Sequence, residues 1–255
     1  MFRPCIDLHE GKVKQIVGGT LGAASELRTN FVSERSSEYY AELYRRDGLT
    51  GGHVIMLGTG NEEAGRAALR AYPGGLQIGG GINLSNAPQY LSDGASQVIV
   101  TSWVFQGGKV DWERLTSLVQ AIGKERLVLD LSCRKRGGDY FVVTDRWQKF
   151  TDLPVSKETL EKLSAYCVEF LIHAVDVEGL CRGIDAELVA KLGEWSPLPT
   201  TYAGGANSLA DLETVTKAGR GKIDLTIGSA LDIFGGTGVK YADAVAFNHR
   251  QKKGK

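Results

Sequence analysis

The chain has 255 residues, 42% hydrophobic and 24% charged, and its thirty basic and thirty acidic side chains leave no net charge. That balance suits a soluble globular protein with a full core, and it lacks the basic excess by which nucleic acid or an anionic membrane surface is bound. Cys5, Cys133, Cys167 and Cys181 show no Cys-x-x-Cys spacing, so no metal site and no disulfide framework is expected, and they fit a reducing cytoplasm.

In chain order, Met1-Phe2-Arg3-Pro4 carries no apolar leader and no Arg/Ser-rich transit segment, and runs straight into an apolar strand over Cys5–Leu8. The periodicity then predicts a helix over Glu38–Arg46, a strand over His53–Leu57, a helix over Glu62–Tyr72 and a strand over Leu76–Ile78. A helix over Ser85–Ser92, a strand over Gln97–Thr101 and a helix over Trp112–Ile122 complete the first half. The second half opens with a strand over Leu127–Leu131 and a longer excursion over Cys133–Phe150, with a small hairpin near Tyr140–Val143. Helices are expected over Lys157–Cys167, Ala186–Glu194, Leu209–Ala218 and after Lys240. Strands are expected between them, over Phe170–Val175, Pro199–Ala203 and Ile223–Ile227. Ser85, Ser156 and Ser208 stand where N-caps belong, and Gly48, Gly94 and Gly219 fall just past helix ends. No apolar run approaches the ~18 residues of a membrane helix.

Eight strand-then-helix units at this length define an α/β chain, read as a single (β/α)8 TIM barrel. An open doubly wound sheet is the competitor, and it normally shows one dominant glycine-rich first turn. Here the glycines recur in matched sets. Ile78-Gly79-Gly80-Gly81-Ile82-Asn83 is echoed by Tyr202-Ala203-Gly204-Gly205-Ala206-Asn207, with Gly80 and Gly204 separated by 124 positions. Val100-Thr101-Ser102 is echoed by Ile227-Gly228-Ser229, and Ile6-Asp7-Leu8 by Leu129-Asp130-Leu131 at a spacing of 123. We therefore expect one domain over 1–255 built as two half-barrels, 1–124 and 125–255.

Glycines after a strand let backbone N–H groups converge on a phosphate, and loops after the seventh and eighth barrel strands are a recurrent phosphate site. Gly204, Gly205, Gly228 and Ser229 occupy those loops. The repeat places a second set, Gly80, Gly81, Thr101 and Ser102, across the mouth. The ligand implied is a small molecule with a phosphate at each end. Asp7 and Asp130 end apolar strands one and five, where a carboxylate is costly unless it is paired or working. Two carboxylates in different surroundings can run the acid and base steps on one substrate. His53 and His173 form a second approximate pair, the former read as substrate-binding and the latter as catalytic. His9, beside Asp7, is expected on the opposite strand face. Trp147 lies in a polar loop and offers a flat surface for a heterocycle. Arg134 and Arg182 could reach a phosphate or carboxamide, and a solvated role fits each equally well.

Cys5–Val13, Gly79–Ile82, Asp130–Lys135, Asp176–Cys181, Tyr202–Ala206 and Asp224–Ser229 together resemble the ProFAR isomerases of histidine biosynthesis, in their eukaryotic branch. The resemblance runs nearly end to end. It implies an Amadori rearrangement of ProFAR to PRFAR without metal or cofactor, with Asp7 and Asp130 as catalytic residues. It also implies the two phosphate sites named above and Trp147 stacking on substrate. Met56 stands where bacterial members often carry an aspartate, and His173 takes the place of their active-site threonine. Chemically, ring opening needs a proton on the ring oxygen and the rearrangement needs loss of the C2 proton. Asp130 is assigned to the first and Asp7 to the second, a direction the chemistry leaves reversible. The sister cyclase of the pathway and a non-catalytic sugar-phosphate binder are the alternatives. A monomer is expected.

Overall fold

The computed structural model describes residues 1–17, 20 and 28–253. Eight parallel strands form its centre: β1 (Cys5–His9), β2 (Gly52–Met56), β3 (Leu76–Gly79), β4 (Val98–Val100), β5 (Leu127–Asp130), β6 (Glu169–His173), β7 (Thr200–Ala203) and β8 (Ile223–Thr226). Each pairs with the next, and the ring closes through the first strand. Phe2 and Arg3 pair in parallel with Leu225 and Thr226 of β8. Beyond Pro4 the chain pairs with β2, Cys5 opposite His53. Proline has no N–H to leave unpaired, and it marks the handover, its carbonyl accepting from His53 N–H at 3.0 Å. The fold is a (β/α)8 barrel.

Strand alternation sorts the side chains into two populations. Ile6, Leu8, Val54, Ile78, Val98, Leu129, Phe170, Ile172, Tyr202 and Leu225 are fully buried in the main core beneath the helices. The opposite faces turn inward, where Ile99, Val128 and Leu171, with Ile55 against them, form a separate apolar cluster across the barrel. One inward row lies toward the strand starts: Glu169 accepts from the Thr201 hydroxyl at 2.6 Å and from the Gln77 amide at 2.9 Å. Arg3, whose charge is reinforced by Glu169, donates to Asp224 at 2.7 Å. Toward the strand ends the inward positions are Asp7, Thr101, Asp130 and His173.

The helices are α1 (Ser37–Arg46), α2 (Glu62–Ala71), α3 (Ala87–Ser92), α4 (Trp112–Ile122), α5 (Lys157–Leu163), α6 (Ala186–Trp195), α7 (Leu209–Ala218) and α8 (Tyr241–Lys253). Ser156 caps α5 by accepting from Thr159 N–H, and Ser208 forms a capping box with Asp211 on α7. The expected cap Ser85 is displaced: the N-cap of α3 is Asn86, because Asn83 folds back to accept from the Ser85 amide and hydroxyl. Helix α5 stops at Leu163, short of Cys167, where the Ser164 hydroxyl donates to the Glu161 carbonyl. Gly219 follows α7 as expected but with φ −77°. Its need is space, since a Cβ there would stand 2.6 Å from the Ile223 side chain.

Among the described residues antiparallel excursions leave the ring after three strands, the smallest a hairpin of Phe105–Gln106 with Lys109–Val110 after β4. Lys12–Ile16 turns back along β1 and pairs with Thr29–Val32, an element the sequence reading missed. After β5, Cys133–Arg136, Asp139–Thr144 and Lys149–Pro154 make a three-stranded sheet, larger than the expected hairpin near Tyr140–Val143. Among the described residues no helix is long and apolar enough to cross a membrane.

Glu169→Ala strands the buried donors of Gln77 and Thr201 and removes an anion from beside Arg3. It is expected to lower unfolding stability by about 2 kcal/mol or more in a urea titration. An unchanged midpoint would show the row to be dispensable.

Candidate active site

A cavity of about 960 Å³ opens at the carboxyl ends of the strands and is lined by Asp7, His53, Asp130, Trp147 and His173 together with both glycine sets. The two sets are built alike. Gly80 has φ +95°, and a Cβ there would lie 2.1 Å from the Met56 carbonyl at the end of β2. Gly204 has φ +123°, and a Cβ would lie 2.8 Å from the Ala174 carbonyl just past β6. In each half the glycine is needed because the preceding strand's backbone presses against it. Gly81 and Gly205 follow, and both also have positive φ. Gly228 differs, its neighbour being a side chain: Gln15 Oε1 lies 2.3 Å from where a Cβ would stand.

The serines of the two sets each hold an excursion. Ser102 Oγ accepts from the Asp145 amide at 3.2 Å, at the tip of the sheet that follows β5. Ser229 Oγ accepts from Asn30 Nδ2 at 3.1 Å, and Asn30 belongs to the excursion that follows β1. At the tip, Asp145, Arg146 and Trp147 are three successive non-glycine residues with left-handed φ of 52°, 57° and 65°, a conformation that costs on the order of 1 kcal/mol per residue. It delivers the Trp147 ring to 5.6 Å from that of His173.

Between the glycine sets the ionisable groups are unlike: His53, Asp130 and His173 are buried and Asp7 is half-buried. Asp7 Oδ2 accepts from Gln15 Nε2 at 3.0 Å. Burial, and then the charge of Glu178, push its pKa up from 3.8 to about 7, against the opposing effects of His173 and Gln15. Asp130 Oδ1 accepts from the Ser132 amide at 2.8 Å and its hydroxyl at 2.6 Å, and Oδ2 from the Thr101 hydroxyl at 3.1 Å. Burial works to raise Asp130, but His173 and Ser132 outweigh it and hold the carboxyl below its ordinary value. His173 Nδ1 stands 3.7 Å from Asp130 Oδ1 and 3.3 Å from Ser132 Oγ. Burial depresses this imidazole, yet Asp130, Glu178 and Asp7 together lift it to about 9. His53, with its ring 5.9 Å from that of His173, is pushed down to about 3 by burial and by the charge of His173. It stays neutral.

The structure brings every predicted site residue into one cavity. One further expectation fails. His9 lines the same cavity as Asp7, because residues two apart on a strand share a face. Of the two roles left open for Arg134 and Arg182, the structure favours the one away from the ligand: neither lines the cavity, and Arg134 pairs with Asp176 at 2.8 Å. Sequence reasoning also missed Gln15, Ser132 and Glu178. Glu178 lines the cavity, its pKa is raised by burial, and its Oε2 has no hydrogen-bond partner among the described residues. Its signal was its place in the polar segment after β6. Among the described residues no group of three His, Cys, Asp or Glu side chains is placed to hold a metal ion.

Fold and site define a (β/α)8-barrel enzyme acting on a small molecule, with acid–base groups set between two glycine-lined pockets. The model of the histidine biosynthesis protein family matches residues 1–240, and the chain belongs to that family. It is 57% identical over 258 residues to a chloroplastic 1-(5-phosphoribosyl)-5-((5-phosphoribosylamino)methylideneamino) imidazole-4-carboxamide isomerase of Medicago truncatula, covering 98% of this chain and 82% of the relative. The correspondingly named isomerase of Neurospora crassa is 56% identical, with 98% of this chain and 99% of the relative covered. That of Saccharomyces cerevisiae is 51% identical, with 98% of each covered.

A raised carboxyl pKa favours the folded state below the ordinary value of 3.8 and loses that contribution as pH climbs to about 7. Asp7→Asn removes the buried charge, so its melting temperature is expected to exceed that of the parent at about pH 8 and to converge with it near about pH 4. Parallel melting curves across that range would contradict the environment described for Asp7.

Proposed function

We propose that this chain converts ProFAR to PRFAR, the Amadori rearrangement of an aminoaldose into an aminoketose in histidine biosynthesis. The observation that carries the reading is one cavity in which matched glycine pockets, on β3–β4 and β7–β8, flank Asp7 and Asp130 from opposite sides of the ring. A ligand with a phosphate at each end spans the pockets, and its reacting carbons then lie between the carboxylates, which is catalysis by positioning. Gly80, Gly81, Thr101 and Ser102 take one phosphate, and Gly204, Gly205, Gly228 and Ser229 the other. Trp147 and His53 bound the middle of the substrate. The imine nitrogen formed on ring opening serves as the electron sink, so the chemistry calls on proton transfers alone. The names of the Medicago, Neurospora and Saccharomyces relatives support the same activity.

The sister cyclase would pass ammonia along the barrel axis. The axial cluster of Ile55, Ile99, Val128 and Leu171, above the Glu169, Gln77 and Thr201 row, favours the isomerase. We further propose that the chain works as a monomer of two half-barrels in the cytoplasm, without nucleic acid or membrane partners. Its unpaired cysteines suit that compartment.

Purified protein is expected to convert ProFAR in a spectroscopic assay and to release no imidazole product when given PRFAR and ammonia. Asp7→Asn and Asp130→Asn should each lower kcat by about 100-fold or more while remaining folded, the scale of a lost acid–base group. Near-normal rates in both variants would sink the assignment.

A further inference from the structure

Gln15 is a buried amide whose two ends have different partners. It stands on the antiparallel return Lys12–Ile16, where the ladder with Thr29–Val32 shifts register beside it, and only 3% of its surface is exposed. Its Nε2 donates to Asp7 Oδ2 at 3.0 Å, and its Oε1 accepts from the Ser229 hydroxyl at 3.4 Å. Gly228 leaves room for that second end, since a Cβ there would stand 2.3 Å from Oε1. Ser229 is held from behind, its Oγ accepting from Asn30 Nδ2, which also donates to the Gly179 carbonyl at 3.0 Å. Donors thus run in one direction, from Asn30 through Ser229 and Gln15 to Asp7. We propose that Gln15 is a positioning residue that couples the β7–β8 phosphate pocket to Asp7, orienting that carboxylate and setting its basicity. The inference rests on the isomerase reading above and deepens it.

A primary amide accepts at one end and donates at the other. The Ser229 proton on Oε1 therefore turns the NH2 group toward Asp7. Reversed, the amide would set its oxygen against a carboxylate oxygen with no proton between them. The other groups facing Asp7 are Glu178 in the loop after β6, His173 on β6 and Cys5 on β1. Burial and then Glu178 weaken Asp7 as an acid, while His173, Gln15 and Cys5 oppose them. Among these, Gln15 is the one hydrogen-bonded to a pocket residue.

Ser229 has a single proton to give. Phosphate oxygens draw hydrogen bonds strongly, so an anion in the pocket competes with Gln15 for that proton. Gln15 is then held by Asp7 alone, and its grip on the carboxylate loosens. Occupancy of the pocket is in this way felt at the base without contact between phosphate and Asp7.

The test is a carbon-13 NMR titration of the Asp7 carboxyl, assigned with Asp7→Asn, in the full-length protein and its variants. The parent is expected to titrate near about 7. Gln15→Met keeps the length of the side chain and removes the donor, so the titration should move up by about half a pH unit or more. Ser229→Ala leaves Gln15 in place yet should move it in the same direction, and Ser229→Thr should restore it. Adding Ser229→Ala to Gln15→Met should move it no further. Saturating inorganic phosphate should raise the titration more in the parent than in Gln15→Met. Additive shifts in the double variant, an unmoved titration in Gln15→Met or equal phosphate effects would each overturn the proposal. Should Gln15→Met fail to fold, Gly228→Ala serves instead: its methyl displaces the amide end and should produce the same upward move, and an unmoved titration there would equally overturn it. In turnover, Gln15→Met should lower kcat for ProFAR by about tenfold and leave KM within about twofold. A raised KM at unchanged kcat would make Gln15 a ligand contact and defeat the positioning role. A parent that fails to convert ProFAR would sink the isomerase reading, while the carboxyl titrations would still decide the coupling.

Discussion

Asp7, Asp130 and Glu178 stand around the His173 ring at the mouth of this barrel, and the rest of the site is arranged around their mutual repulsion. Removing an acid from water penalises its charged form, so Asp7, Asp130 and Glu178 cannot all remain ionised at equal ease. Position decides which yields. Asp130 has Ser132, Thr101 and His173 about it and stays charged, whereas Asp7 has one amide, Gln15, and is driven upward. Two chemically identical side chains thus acquire opposite habits from their neighbours alone.

Much of this architecture was legible in the residues. The rhythm of short apolar strands and capped helices predicted the ring, and all eight strand positions fell within two residues of their observed bounds. The repeat located Asp7, Asp130 and both glycine sets because duplicated chemistry leaves duplicated letters. What stayed hidden works through contacts made only on closure. Gln15 reads as an ordinary polar residue on a basic stretch, yet the antiparallel return of its strand carries it back to Asp7 and to Ser229. Glu178 reads as a loop acid, and Ser132 as a polar residue beyond a strand end. The misplacement of His9 was a different kind of error, a face assigned against the two-residue period of the strand.

The twofold construction extends beyond the residues that announce it. Each half sends an antiparallel excursion out after its first strand, and each excursion is tied to the serine of a neighbouring pocket: Asn30 to Ser229, and Asp145 to Ser102. The ties are chemically different, a side-chain amide in one half and a main-chain amide in the other. They nonetheless join corresponding places in the two halves. The excursion after β5 forms three strands and brings Trp147 to the cavity wall.

The closed ring has one more consequence. Eight strands at a fixed tilt and stagger set the bore of a barrel, and β3 and β7 lie four places apart around it, diametrically opposed. The gap from Gly80–Gly81 to Gly204–Gly205 therefore belongs to the main chain, and no exchange of side chains can adjust it. Such a mouth is a caliper with welded jaws, its opening set by the ring and by nothing that lines it.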